Sequence, residues 1–144
     1  MHDDLVPDVL TVHLMATSAY AGFQWTIRVV AYPQLAEVPG AAFTAYLAAY
    51  QRRVTYLVGP LFAALLLTTG LVAADGTIAT MGRLLAVLLL AVVLGATAFA
   101  AVPQHSRLSA GWDHAAHRRL LTADTVRVVA ATLNAGVALA LLSP

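Results

Sequence analysis

The sequence predicts an all-α integral membrane protein, a bundle of four helices in one domain spanning residues 1–144. Three observations carry that prediction. Only 10% of the 144 residues are charged and 60% are hydrophobic, whereas a soluble domain carries about 25% charged residues. The polar residues are too few to coat a water-facing surface. The run from Leu84 to Val102 has no charge on any face, and a surface helix in water needs a polar stripe. Four segments each reach the roughly 20 residues that a helix needs to cross hydrocarbon. Without water, each segment must satisfy its own backbone, which helices do.

The first helix is expected over about 9–32, ended by Pro33. The second covers 41–74. It is too long to lie wholly in hydrocarbon, so Phe43 to Arg53, which mixes Tyr and Arg with Ala, reads as interfacial. Pro60 is expected to kink it, because proline removes a backbone donor and crowds the preceding turn. Asp75-Gly76 makes a tight turn. The third helix covers 80–102, stopped by Pro103, and the fourth covers 113–142. The start, Met1-His2-Asp3-Asp4, is acidic where a secretory signal is basic, so the first apolar segment is expected to be retained.

Cysteine is absent, which excludes disulfides, thiolate metal sites and cysteine nucleophiles. All eight basic residues are Arg, and the net charge of +1 gives no electrostatic case for a nucleic-acid partner. The lipid bilayer is the expected surrounding. Arg28, Arg52, Arg53, Arg107, Arg118 and Arg119 lie at the end reached after the first helix, here side B. Only Arg83 lies at the other end, side A. By the positive-inside rule side B is cytoplasmic and both termini are non-cytoplasmic. Tyr32, Tyr46, Tyr50 and Trp112 read as an interfacial belt at side B.

Polar groups at membrane depth are costly, roughly 2.5–3.5 kcal/mol each on insertion scales, so each needs a reason. Gln24, Arg28 and Tyr32 recur at i, i+4, i+8 and are expected to share a face. They form either a pocket wall or a snorkelling arginine with a glutamine bonded to a neighbour. Tyr46, Tyr50 and Arg53 share a second face, as a pocket wall or an interfacial belt, with Gln51 and Arg52 pointing elsewhere. His105, His114 and His117 flank the third connection and are polar loop residues or a metal or haem set. Asp124 and Arg127, at i, i+3, pair with each other, or Asp124 pairs with Arg28 or Arg53 across the bundle. Asn134 lies deeper and bonds a neighbouring helix. His13 stands apart near side A and reads as a satisfied core residue.

Several short stretches, in order along the chain, carry a resemblance. They are Gly22-Phe23-Gln24-Trp25-Thr26-Ile27-Arg28, Tyr32-Pro33, the run Phe43 to Pro60 with Tyr46, Arg52-Arg53 and Gly59-Pro60, and Pro103-Gln104-His105-Ser106-Arg107-Leu108. Gly111, His117-Arg118-Arg119-Leu120 and Arg127 continue it. The layout resembles small bacterial four-helix membrane proteins of unknown function and, more distantly, the anthrone-oxygenase-like membrane family. The resemblance implies a bacterial inner-membrane location, and oxygenation of lipophilic polycyclic aromatics as an activity found in the wider family. Relatives often carry His where this chain has Ala31, Leu47 or Tyr50. If those histidines hold a metal there, this chain lacks that site.

These readings converge on a polar pocket at side B. One expectation is a membrane-embedded oxidoreductase or oxygenase acting on a lipophilic aromatic or quinone-like molecule. His105 or His117 serves as general base, Arg28 or Arg127 stabilises an oxyanion, and Gln24, Tyr32, Tyr50, Arg53 and Asp124 bind the substrate. A haem or metal protein is a further expectation. The other is a non-catalytic accessory subunit, as a homo-oligomer or part of a larger membrane complex.

Overall fold

A computed structural model describes residues 5–143; the acidic start Met1–Asp4 lies outside them. Four helices run antiparallel in sequence order. Helix α1 covers residues 5–35, α2 Gly40–Ala74, α3 Thr80–Ser109 and α4 His114–Leu142. The all-α four-helix architecture stands as the sequence predicts. α1 packs on α2 and α4, and α3 packs on the same two helices, closing a ring. Short connections force this neighbour order.

The bundle is apolar outside as well as inside. Met15, Tyr56, Leu67, Met81 and Phe99 are each exposed by more than 60%, an apolar surface that suits lipid rather than water. α2, α3 and α4 are long and apolar enough to cross a membrane. α1 does not join them on composition, because His13, Thr17 and Gln24 interrupt its apolar run. All three are buried in the bundle, while Val12, Met15, Trp25 and Val29 face outward.

α4 supplies the widest buried face. Ala116, Ala123, Ala130 and Ala138 recur along it, and small side chains let neighbouring backbones approach closely. At side A the approach of α3 is so close that a Cβ on Gly82 would run into Leu141. Between α3 and α4 the chain turns at Gly111, whose φ of 144° favours glycine. Asp113 then caps α4, its Oδ1 accepting from the N–H groups of Ala115 and Ala116 at 2.7 and 3.1 Å. Those backbone donors hold its carboxyl below the usual carboxylate range. The cap is therefore fully formed above that range and is lost only as pH falls through the depressed value.

Two expected helix ends are corrected. α1 continues past Pro33 to Leu35, and α3 past Pro103 to Ser109. In each case a π-helical turn precedes the proline, Ile27–Ala31 in α1 and Ala96–Ala101 in α3. The N–H of Tyr32 bonds the Ile27 carbonyl and that of Val102 the Thr97 carbonyl, each five residues back. Proline lacks a donor and crowds the carbonyl four residues before it. A wider turn just ahead of it lets the helix continue. Pro60 likewise lies inside an unbroken α2.

The bulge in α1 also sets side-chain phase. Eight regular residues would place Tyr32 about 80° away from Gln24, at about 100° per residue. One extra residue in the bulge takes back about 100°. Tyr32 thereby returns to the inner face below Gln24, and both are buried.

Candidate functional site

A polar chain crosses the side-B half of the bundle and draws on all four helices. From α1, Gln24 Nε2 donates to Asp124 Oδ1 of α4 at 3.2 Å. Arg127 Nη2, one turn along α4, donates to the same oxygen at 2.7 Å and to Tyr32 Oη at 3.0 Å. Tyr32 Oη is 3.1 Å from His105 Nε2 of α3. His105 Nδ1 lies 3.5 Å from Gln51 Nε2 of α2, which also donates to Ser109 Oγ at 3.4 Å. Asp124 is wholly buried and its second oxygen has no hydrogen-bond partner among the described residues. Its charge is met within the bundle by Arg127, so the pair is neutral as a unit, the usual way of holding ions at membrane depth.

Beside this chain lies a cavity of about 190 Å³ between α2 and α3, open on one side. Its polar wall is Gln24, Tyr32, Gln51, His105 and Arg127. Phe23, Ile27, Val58 and Phe62 make the apolar wall, with Tyr20 stacked behind Phe62 at 5.3 Å. Thr55 and Val102, both exposed, flank the opening. Their outward position turns the opening sideways, towards the lipid-facing surface. The α3 bulge borders the cavity through Thr97 and Ala101, and π-bulges recur at functional sites.

Five of the nine residues singled out from the sequence, Gln24, Tyr32, Tyr50, His105 and Arg127, line this cavity. Asp124 lies behind it as the counter-ion of Arg127. The other three do not meet there. Arg28 lies within the π-helical turn of α1 and lines an outer groove, where its Nε donates to Thr125 Oγ1. Arg53 is exposed in a shallow outer groove with Tyr46 and Tyr50. That face holds together as the spacing predicts, but it looks outward. His117 is buried away from the cavity. Its Nε2 donates to the Tyr32 carbonyl at 2.9 Å, and its ring packs on Trp112 with centroids 4.8 Å apart. The α1 helix ends just beyond Tyr32, leaving that carbonyl without a helical donor. His117 caps it.

The histidines do not converge. His105 faces Tyr32 and Gln51, His117 faces Tyr32's backbone and Trp112, and His114 is exposed at the edge of Trp112. Among the described residues no group of three His, Asp or Glu could hold a metal ion. The aromatic belt is also thinner than expected. Tyr32 is buried and Trp112 packs edge-on against Phe43. His13 is buried in the core with Nδ1 3.0 Å from Thr68 Oγ1, but it is only half satisfied, its Nε2 having no hydrogen-bond partner among the described residues.

No protein-family model, curated protein or solved structure matches this chain.

What the site can do rests on its own groups. It offers an apolar slot for rings or chains, a neutralised arginine, and a tyrosine whose oxygen is held by two other side chains. Gln51, expected to point away from the Tyr46–Tyr50–Arg53 face, does so and lines the cavity, a role the sequence did not give it; Ser109 was not singled out at all. Gln51 lies in the interfacial stretch of α2, beside the arginines. Ser109 lies beyond a proline taken as a helix end. Gln104 and Leu108, both buried and four apart, share the inner face of the continued helix.

Proposed function

We propose that this protein binds a lipophilic aromatic or quinone-like small molecule in the α2–α3 cavity and acts on its ring oxygen as a membrane-embedded oxidoreductase. The single observation that supports this reading is the cavity itself, apolar on one wall and hydrogen-bonding on the other, opening sideways where a lipid-soluble molecule arrives. An apolar cavity near 150 Å³ accommodates benzene, so about 190 Å³ suits one or two rings. Larger ring systems, anthrones among them, would extend through the opening.

Oxidation or reduction of such a ring moves a proton at the ring oxygen. Of the cavity wall, the Tyr32 hydroxyl, held by Arg127 and His105, is the group to supply that proton. Electrons would pass to or from a second substrate, dioxygen in an oxygenase. The short stretches that resemble the anthrone-oxygenase-like family agree with this class of substrate. The arginine-rich side B supports a cytoplasmic position for the cavity end.

The experiment is equilibrium binding of 1-tetralone, a two-ring ketone, to purified protein in nanodiscs, corrected for partition into empty discs. Val58→Trp fills the apolar wall from its half-exposed side and is expected to abolish saturable binding. Equal, non-saturable uptake by both proteins would overturn the reading.

One feature favours the accessory-subunit alternative. The outer face of α3 leaves Met81, Leu84, Leu88 and Phe99 each more than half exposed. A stoichiometric partner co-purifying in mild detergent would decide for that role.

A further inference from the structure

Hydrogen-bond bookkeeping along the polar chain says which kind of oxygen the cavity takes. Ser109 Oγ donates its proton to the His105 carbonyl at 2.9 Å, the usual back-bond of a helical serine. Its oxygen can then only accept, so the Gln51 side chain must present its amide nitrogen to Ser109. An amide nitrogen carries two donors, and the second meets His105 Nδ1. His105 Nδ1 is therefore the bare, accepting nitrogen of a neutral imidazole, and the proton sits on Nε2. His105 Nε2 donates to Tyr32 Oη, and Arg127 Nη2 donates to the same oxygen.

Tyr32 Oη thus accepts twice, and neither partner can take its proton. No other hydrogen bond to that hydroxyl exists among the described residues. Two further hydroxyls on the wall have spent theirs: Thr55 Oγ1 donates to the Gln51 carbonyl and Thr97 Oγ1 to the Val93 carbonyl. Tyr50 lines the cavity as well as the outer groove, but no side chain holds its oxygen.

We propose that the Tyr32 hydroxyl is an unspent donor, polarised by Arg127 and His105, and that the cavity selects a neutral ring carrying a carbonyl oxygen, a ketone or quinone, over the corresponding hydrocarbon or phenol. Neutrality follows from the Asp124–Arg127 pair, which leaves no net charge for an anion to meet. This rests on the cavity being a lipophile site.

Three ligands of one ring skeleton separate the two claims: tetralin, 1-tetralone and 5,6,7,8-tetrahydro-1-naphthol, each measured in nanodiscs against empty discs. Wild type is expected to bind all three saturably, with the ketone about tenfold tighter than tetralin, the worth of one good hydrogen bond. Tyr32→Phe is expected to keep tetralin binding and lose the ketone's advantage, and Tyr50→Phe to keep both. Infrared spectra of the bound ketone should show a lowered C=O stretch in wild type and not in Tyr32→Phe. Nitrogen NMR of wild type should show His105 protonated on Nε2 alone, a test that needs no variant. Saturable binding with no ketone preference, a preference that survives Tyr32→Phe, or a proton on His105 Nδ1 would overturn the donor assignment while leaving the lipophile site intact. Failure of all three ligands to bind saturably would overturn the site and the assignment together.

Discussion

Tyr32 shows how much one residue can be asked to do. Its backbone carbonyl receives His117, its hydroxyl joins Arg127 to His105, and its ring closes one wall of the cavity. Two neighbours with different tasks can be told apart by substitution. His117→Ala removes a helix cap remote from the cavity. Thermal unfolding in detergent should shift down, while ligand affinity stays within twofold, because no ligand-facing group moves. Asp124→Leu instead strands the buried Arg127 charge, a loss of about 3–5 kcal/mol where such pairs are broken from one side. The double variant Asp124→Leu with Arg127→Met should regain much of that stability and still lose part of the ketone's advantage over tetralin. If His117→Ala abolished binding without touching stability, the division of labour argued here would be reversed.

At the scale of elements, the two π-helical turns are the least legible and most consequential features. Read as text, Pro33 and Pro103 are stop signals, and each is instead passed by widening the turn before it. The bulge in α1 absorbs one residue, so residue count and side-chain phase are decoupled there. Deleting Val30, an outward-facing residue of the bulge, should give a regular helix that leaves Tyr32 within about 20° of Gln24, and ligand binding should persist. Inserting one alanine after Val30 turns Tyr32 by about 100° and should abolish binding. Saturation binding of 1-tetralone to the two variants measures both outcomes. Equal behaviour of insertion and deletion would mean that the bulge does not set the phase.

Across the whole molecule, the polar chain lies in the half nearer side B, where six of the eight arginines gather. On the positive-inside orientation proposed above, the cavity would face the cytoplasmic leaflet. The absence of native cysteine makes single-cysteine labelling direct. In inside-out vesicles Ala110→Cys should react with an impermeant maleimide and Ser143→Cys should not; in intact cells with a permeable outer membrane the pattern should invert. Labelling of Ser143→Cys in inside-out vesicles would reverse the orientation and place the cavity on the opposite leaflet.

The amino-acid sequence alone determined the solvent and the number of helices. Apolar length and scarcity of charge depend only on composition along the chain, and no packing detail can change them. It offered Arg127 as one partner for Asp124, because three residues along a helix bring their side chains to one side, with Arg28 and Arg53 as the alternatives across the bundle, and the fold settles on Arg127. Only the tertiary structure decided which polar residues look inward. Gln24 meets Asp124 across 100 positions of sequence, Arg28 and Arg53 turn outward, and Gln51 turns in. In α1 and α3 such choices depend on helix phase, and phase there depends on π-helical turns that follow from backbone hydrogen bonding around proline rather than from any periodic signal; in the unbroken α2 they depend on which face packs inward.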